Sequence, residues 1–431
     1  MRSIKVGVIG LGTVGSGVIQ VLQENAPDIR QRLECDIQLK RVADRDVALL
    51  QKVQGDVIRS ENAQDVLTDP EIDIVVEVIG GIEPAKTFIL EAFRQGKNVV
   101  TANKDLIAIH GHELLEAAKA AGKDLGFEAS VGGGIPIIAA LKQSLTANKF
   151  SAILGIINGT TNYILTAMYE QGRDYGEVLA EAQKLGYAEA DPTSDVEGLD
   201  AARKLAILSS IAFNSKVTLS DVYVEGISQI TSEDIQYAKE LGCTIKLLAI
   251  GKNPEQGIEV RVHPVLLPLS HPLAAVNGVF NAIFAVGNAV GDTMFYGRGA
   301  GSLPTGSAIA GDIISISRNI IYNATASVHC TCYNERPILP SSAFISAYYV
   351  RLSVADEPRV LASLATIFAE AGISFASIIQ KTQKENQAEI VLITHPCRES
   401  QLNDALAQVR VYDKVRSIHN VIRFEENPAP T

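Results

Sequence analysis

The sequence predicts an α/β protein in three parts: an N-terminal parallel sheet covered by helices, a central α+β region and a small βαββαβ module at the C-terminus. Three observations predict it. Apolar strand-like runs alternate with helical spacing through the first 130 residues. Longer helical patterns and separate β-like runs then replace that rhythm. Beyond the Pro- and Ser-rich stretch "PILPSSA" (337–343), the order βαββαβ appears once.

The N-terminal strands are read at "IKVGVIG" (4–10), "IQLKRVAD" (37–44), "DIVVEVIG" (73–80), "NVVTAN" (98–103) and "DLGFEAS" (124–130). Helical patterns such as "TVGSGVIQVLQ" (13–23), "PAKTFILEAFRQG" (84–96) and "GHELLEAAKAAG" (111–122) separate several of them. Such βαβ alternation implies a parallel sheet with both faces covered. The middle region holds helical stretches at 200–213 and 232–242 and β-like runs at 151–158 and 245–251. A Gly-rich stretch leads into a helix over 297–318. The last part reads as strand (348–358), helix (359–371), strands at 373–380 and 388–395, a second helix and a final strand. That is a ferredoxin-like order. The expected domains are 1–130, completed by a returning segment at about 297–335, then 131–320 and 348–426.

A chain of 431 residues is too long for one compact core. Net charge of −11 disfavours nucleic acid and anionic membrane as partners, and no apolar run is long enough for a membrane span. The strand pattern begins at Ile4 and leaves no room for a signal peptide. The five scattered cysteines read as reduced thiols in a cytoplasmic protein. His329, Cys330 and Cys332 raise the question of a metal site, but two cysteines separated by one residue, with no second pair, are poor zinc spacing.

Three constellations carry chemistry. Gly10-Leu11-Gly12-Thr13-Val14-Gly15 follows the first strand and opens a helix. In that context GxGxxG reads as a dinucleotide site of Rossmann type, in which glycines allow a tight turn and close backbone approach and the helix N-terminus faces the pyrophosphate; a Gly-rich turn with no ligand is the plainer alternative. Ala43 and Asp44 close the second strand, where an acidic residue binds a ribose 2′-OH. Arg45 follows and could hold a 2′-phosphate, so NAD and NADP both stay open. "VVTANKDL" puts Lys104 just past a strand's carboxyl end, the edge at which ligands of open α/β sheets bind; a solvated loop lysine is the plainer reading. "FEASVGGGIP" (127–136) has three consecutive glycines, read either as a hinge or as carbonyls that, with Glu128, surround a hard monovalent cation or substrate. "NGTTNYIL" (158–165) opens a helix with short amide and hydroxyl groups suited to a small polar ligand.

The stretch "ADPTSDVEGLDAARKLAIL" (190–208) runs from an acidic loop into a helix. Pro192 suits a first turn, with Asp191 as cap. Asp200 and Lys204 lie one helical turn apart. A surface ion pair is the bland reading. Most of the helix circumference is otherwise apolar, which favours a cleft in which Asp200 orients the Lys204 ammonium. Glu189 and Asp195 add acceptors for a substrate's ammonium group.

These residues together resemble homoserine dehydrogenase in its monofunctional bacterial form. The resemblance rests on "AQKLGYAEADPTSDVEGLDAARK" (182–204), "TANK", "EASVGGGIP", "NGTTNYI", "HPLAAVNG" (271–278) and "GRGAGSLPTGSA" (297–308), and it covers essentially the whole chain. It implies reversible reduction of L-aspartate 4-semialdehyde to L-homoserine with NAD or NADP, within threonine, methionine and isoleucine biosynthesis. It also implies a homodimer, or a higher homo-oligomer, built through the central domain. By the same likeness Lys204 is the proton donor or acceptor and Lys104 lies near substrate and nicotinamide. Glu189, Asp195 and Asp200 hold the substrate amine or order water and lysine, with Gly159, Thr160 and Tyr187 also at the substrate. Glu128 and the carbonyls of Val131, Gly133 and Ile135 hold a sodium-like ion, and Gly301 returns to the cofactor.

The C-terminal module resembles an ACT domain, whose effector in this family would be L-threonine. Many ACT domains carry Gly after the Pro of the first turn; here it is Arg359. Threonine binding and a mainly structural, oligomerising role both stay open. Two other readings compete with the enzyme: a non-catalytic sensor of amino acids or dinucleotides, and an oxidoreductase for another small aldehyde. A sensor has no need of a proton donor, which argues against it.

Overall fold

The structure is a computed structural model, and it describes residues 3–325, 330–382 and 386–425. His329 of the metal question lies outside them. The chain forms two compact units. One comprises residues 1–153, 202–222 and 280–335; the other comprises 154–201, 223–279 and 336–431. These units cut across the three spans read from the sequence, because the middle span is shared between them.

The first unit is built on a six-stranded parallel sheet: β1 (Ser3–Ile9), β2 (Asp36–Ala43), β3 (Ile58–Ser60), β4 (Ile74–Glu77), β5 (Asn98–Thr101) and β6 (Leu125–Gly126). Their order is β3-β2-β1-β4-β5-β6, the doubly wound order of dinucleotide-binding folds. Ile4, Val6 and Val8 of β1 are buried against Val18 and Leu22 of the first helix, α1 (Thr13–Glu24), and against Ile309, Ile313 and Ile316 of a later helix, Ser302–Ile321. Those two helices meet through glycine. A Cβ on Gly306 would come within 2.6 Å of the Gly17 backbone, and one on Gly17 within 2.2 Å of the Ser302 carbonyl.

Register aligns the strand ends. Ile9 pairs with Ala43 on one side and Glu77 on the other, and Glu77 pairs with Thr101. The residues that follow (Gly10, Asp44, Val78 to Gly80, Ala102 to Lys104) therefore emerge along one edge. A hairpin of Phe280–Gly287 with Gly291–Arg298 completes the unit and leads into Ser302–Ile321.

The run "DLGFEAS" is strand only at Leu125–Gly126; Glu128–Ser130 is a 3-10 turn. Side chains divert it. Asp312 accepts the Glu128 N–H at 2.9 Å, and the Glu128 carboxylate accepts the N–H groups of Ile138 and Ala139, each at 2.7 Å.

In the second unit, strands Cys243–Lys252 and Glu259–Pro268 pair antiparallel, and Val415–Phe424 runs parallel to the latter. The C-terminal βαββαβ module contributes Tyr348–Ala355, Val360–Glu370, Phe375–Thr382, Gln387–Thr394, Glu399–Val411 and Val415–Phe424. By position in the module its strands lie in the order 4-1-3-2, the ferredoxin-like arrangement. Its sheet buries Arg351 between Asp234 (2.8 Å) and Glu389 (3.2 Å). Among the described residues, no helix is long and apolar enough to cross a membrane.

Candidate active site

The strand-end edge of the first unit holds two clefts. One, of about 480 Å³, is lined by Gly10, Gly12, Ala43, Asp44, Arg45 and Gly80, among others. The turn that forms it needs its glycines. Gly10 has φ +99°, and a Cβ on Gly15 would stand 2.0 Å from the Gly10 carbonyl oxygen. A Cβ on Gly12, by contrast, would meet nothing within 4 Å. Gly12 caps α1 without a side-chain hydrogen bond to the first turn, so the Thr13 end of the helix presents backbone amides to an anion. Leu11 is buried and spends its N–H on Asp44 Oδ2 at 2.6 Å, while Asp44 Oδ1 accepts the Asp46 N–H at 2.8 Å. Asp44 thus braces the turn as well as facing the cleft. Exposed Arg45 lies beside it. This donor set fits a dinucleotide.

The second cleft, of about 270 Å³, is lined by Val14, Gly80, Asn103, Lys104, Ser130, Lys204 and Thr305, among others. Gly80 lines both clefts, so they adjoin. Lys104 opens the helix Lys104–Ala121, and its position is set by a chain of buried hydrogen bonds. Glu77 Oε1 accepts the Ile79 N–H at 2.8 Å, and Glu77 Oε2 accepts the Thr101 hydroxyl at 2.8 Å. Thr101 Oγ1 accepts the Asn103 N–H at 3.1 Å. Asn103 caps the helix through Leu106 N–H at 3.1 Å and donates Nδ2–H to the Gly81 carbonyl at 2.6 Å. Burial holds the Glu77 carboxyl above its ordinary range, against the hydrogen bonds from Thr101 and Ile79.

Lys204 reaches the same cleft from the helix Leu199–Ala212. Beside it, Arg203 Nε pairs with Asp105 Oδ1 at 2.7 Å. Gly301, with φ +119°, caps Ser302–Ile321, and the Ser302 hydroxyl donates to the Thr13 carbonyl at 2.7 Å. The neighbours of Gly301, Gly299 and Ala300, line the lysine cleft.

The glycine run 132–134 is a close approach of two segments of the chain. Gly132 and Gly133 have φ +73° and +55°, a Cβ on Gly133 would lie 2.5 Å from the Gly299 carbonyl, and Gly134 N–H bonds Arg298 O at 3.0 Å. Of the residues expected around a cation, Glu128 already has both carboxylate oxygens on backbone amides. The Ile135 carbonyl accepts the Ile137 N–H at 2.9 Å. Holding a cation would fall to the remaining lone pairs of these groups and to the carbonyls of Val131 and Gly133. Adjacent Asp312 is half-buried, and desolvation pushes its carboxyl up to about 8.

The second unit gathers a polar cluster of its own. Asn158 Nδ2 donates to Asp195 Oδ1 at 2.7 Å and to Asp200 Oδ2 at 2.9 Å. Thr160 Oγ1 sits 2.6 Å from the Tyr187 carbonyl and 2.9 Å from Asp195 Oδ2. Asp200 is 2 % exposed. Tyr187 presents its carbonyl to the cluster and packs its exposed ring on Tyr163 at 5.0 Å. Gly159 serves packing, since a Cβ there would stand 3.0 Å from Val279 O. Glu189 is exposed, and its carbonyl, 3.1 Å from Gln183 Nε2, is what joins local structure. Pro192 is itself the cap of the short helix Thr193–Val196, and Asp191 Oδ1 accepts the Thr193 N–H at 3.1 Å.

Sequence reasoning passed over Asn103, Glu77, Gly80 and the Asp105–Arg203 pair, and took Asn158 only as part of a polar helix entry. Two of these carried a signal: asparagine just before a helical pattern is a favoured N-cap, and both Asn103 and Asn158 cap their helices. Glu77 reads as one more residue of an apolar strand, and nothing local foretells the other two.

Comparison with known proteins identifies the whole. A homoserine dehydrogenase of Bacillus subtilis is 44% identical over 99% of this chain and 99% of its own length. The chain belongs to the homoserine dehydrogenase family. Family models agree: "Homoserine dehydrogenase, NAD binding domain" matches residues 10–128, "Homoserine dehydrogenase" matches 136–314, and "ACT domain" matches 348–413. The crystal structure of a homoserine dehydrogenase from Thiobacillus denitrificans superposes with a TM-score of 0.94 at 46% identity and covers 99% of each chain. A hyperthermophilic archaeal homoserine dehydrogenase, solved in complex with NADPH, matches with a TM-score of 0.63 at 26% identity over 73% of this chain and 98% of its own. The first cleft is thus part of the NAD-binding domain of an NAD(P)-dependent oxidoreductase of the homoserine dehydrogenase family.

Proposed function

We propose that this chain interconverts L-aspartate 4-semialdehyde and L-homoserine with NAD or NADP, and that Lys204 and Lys104 do the acid–base and electrostatic work. The observation that carries the reading is that both lysines line one cleft, which adjoins the dinucleotide cleft at Gly80. When bound, the nicotinamide supplies the hydride in one direction and accepts it in the other. As the aldehyde carbon is reduced, negative charge develops on its oxygen, and a nearby ammonium stabilises that charge and gives up a proton. Lys204 donates that proton to the aldehyde oxygen and, in the reverse direction, takes it from the homoserine hydroxyl. Lys104, on a helix start held by Asn103 and Thr101, supplies a second fixed positive charge.

Asp195 and Asp200, with Glu189, are assigned to the substrate's ammonium and to steadying Lys204. Asn158 Nδ2 and Thr160 Oγ1 fix Asp195. Gly10 to Gly15, Ala43, Asp44, Arg45 and Gly301 form the cofactor side. A sodium-like ion would be held by Glu128, Val131, Gly133 and Ile135. The ACT domain would bind L-threonine, and the enzyme would act as a homodimer.

The deciding experiment is steady-state oxidation of L-homoserine by the purified chain with NAD and with NADP, each with and without L-threonine. Turnover with either cofactor is expected. No turnover with both would overturn the reading.

A further inference from the structure

The first unit holds a second group of reactive side chains, in a cavity that shares no lining residue with either cleft. Cys330 and Cys332 line a small cavity of about 70 Å³ together with His112, Lys142 and Lys216. His112 Nδ1 is 3.3 Å from Cys330 Sγ. Both cysteines are half-buried, whereas Cys35, Cys243 and Cys397 are buried. The other walls are the two lysine-bearing helices. Ile107, Ala108 and Gly111 come from the helix that Lys104 opens, and Ala206, Ile207 and Ser210 from the helix that carries Lys204.

We propose that Cys330 and Cys332 form a peroxide-sensitive dithiol, with Cys330 as the attacking sulfur and Cys332 as the resolving one, whose oxidation acts on the two lysine helices. The inference does not depend on the proposed substrate. The Cys330 thiolate attacks a hydroperoxide: an S–O bond forms, the O–O bond breaks, and hydroxide (or alkoxide) leaves, giving a sulfenic acid. The Cys332 thiol then attacks that sulfur, an S–S bond forms and water leaves. The two cysteine sulfurs are oxidised together by two electrons and the peroxide is reduced. Hydrogen peroxide is the natural member of the class for so small a cavity.

The position of both thiols in one cavity, with His112 against Cys330, supports the assignment, and the electrostatics of the thiols agree with it. The hydrogen bond from Cys332 and then that from His112 hold the Cys330 thiol well below its ordinary range, and the same pairing and burial push Cys332 up. A low-lying, accessible thiol beside a second one is the usual arrangement of a redox-sensing cysteine. The remaining thiols contrast with it: burial pushes Cys243 up to about 11 and raises Cys397. Lastly, Cys330 and Cys332 line the same cavity as residues of both helices, so a disulfide between them is expected to alter that shared wall.

The test uses the full-length protein treated with limiting hydrogen peroxide. Sulfenic acid is trapped with dimedone and mapped by mass spectrometry, and activity is followed in parallel. The wild-type chain is expected to form a Cys330–Cys332 disulfide, to lose more than half its activity and to regain it with dithiothreitol. Cys332→Ser should accumulate dimedone adduct at Cys330, Cys330→Ser should resist inactivation, and His112→Gln should slow labelling about tenfold. Labelling of Cys330 no faster than that of Cys35, Cys243 and Cys397 would overturn the thiol chemistry, whatever the activity shows. Rapid disulfide formation with unchanged kcat would overturn the coupling to the lysine helices.

Discussion

Asp105 and Arg203 form an ion pair of 2.7 Å, and each is the immediate sequence neighbour of one of the two lysines lining the second cleft. The pair joins the first turn of the Lys104 helix to the Lys204 helix. It is partly exposed, with side chains 38 % and 24 % accessible, so its worth to stability is small, about 0–1 kcal/mol. Its worth to catalysis is positional, since a displacement of about 1 Å costs far more in rate than in folding. We therefore expect Arg203→Gln to lower kcat about tenfold while thermal stability and cofactor affinity stay near wild type. Loss of stability in proportion to loss of rate would make the pair merely structural.

Lys204→Ala should lower kcat by about 10²–10⁴, the usual scale for a lost general acid. Cofactor affinity, read by fluorescence titration, should stay close to wild type. Near-normal turnover in this variant would remove Lys204 from the chemistry and leave Lys104 as the better candidate.

Asp44 and Arg45 are neighbours that should fail differently. Arg45 is exposed at the dinucleotide cleft, so Arg45→Ala should raise KM for NADP several-fold more than KM for NAD. Asp44 also holds the Leu11 and Asp46 amides, so Asp44→Ala should impair both cofactors. Equal effects of Arg45→Ala on the two would reject it as a phosphate clamp.

These residues also show what the sequence could reveal. The Rossmann-type sheet was legible because glycine spacing, strand period and βαβ rhythm are local signals that agree. The ferredoxin-like module was legible for the same reason. The sequence points to a return of about 297–335 to the N-terminal domain, but not to residues 202–222 or the rest of 280–335 joining the first unit, because that depends on which distant segments pack together. Lys104 could be placed at a strand end, but Glu77 and Thr101, whose hydrogen bonds shape the turn before it, sit on two separate strands and meet only in the sheet. The Gly132–Gly134 run was read as carbonyls for a ligand or as a hinge. Its φ values and the approach of Gly299 give it a packing reason as well, which no pattern within ten residues reveals.

Glu77 gives the stability a predictable pH dependence. Its folded-state pKa is raised above 4.5, chiefly by burial. Stability from this carboxyl is therefore fully present below about pH 4.5 and is lost as pH rises through the higher folded value. Glu77→Gln removes the titration while keeping an acceptor for the Ile79 N–H. In urea melts from about pH 4.5 upward, the variant should gain on the wild type as pH rises. A difference that does not change with pH would show that Glu77 stays ionised in the fold at no cost.

Arg359 caps the helix Val360–Glu370 in the left-handed region, at φ +77°. An L side chain there costs roughly 1 kcal/mol that glycine avoids. The backbone of the first ACT turn is thus shaped for glycine while the sequence supplies arginine. Arg359→Gly is expected to gain stability, by less than that figure because glycine also loosens the unfolded chain. A melting temperature higher by about 1–3 °C would be the sign. The same variant separates the two readings of the module. If the Arg359 side chain obstructs an effector at this turn, the variant should become more sensitive to L-threonine in an inhibition assay. If the module is structural, stability should rise while threonine sensitivity stays unchanged. A fall in stability would mean that Arg359 makes contacts worth more than its strain.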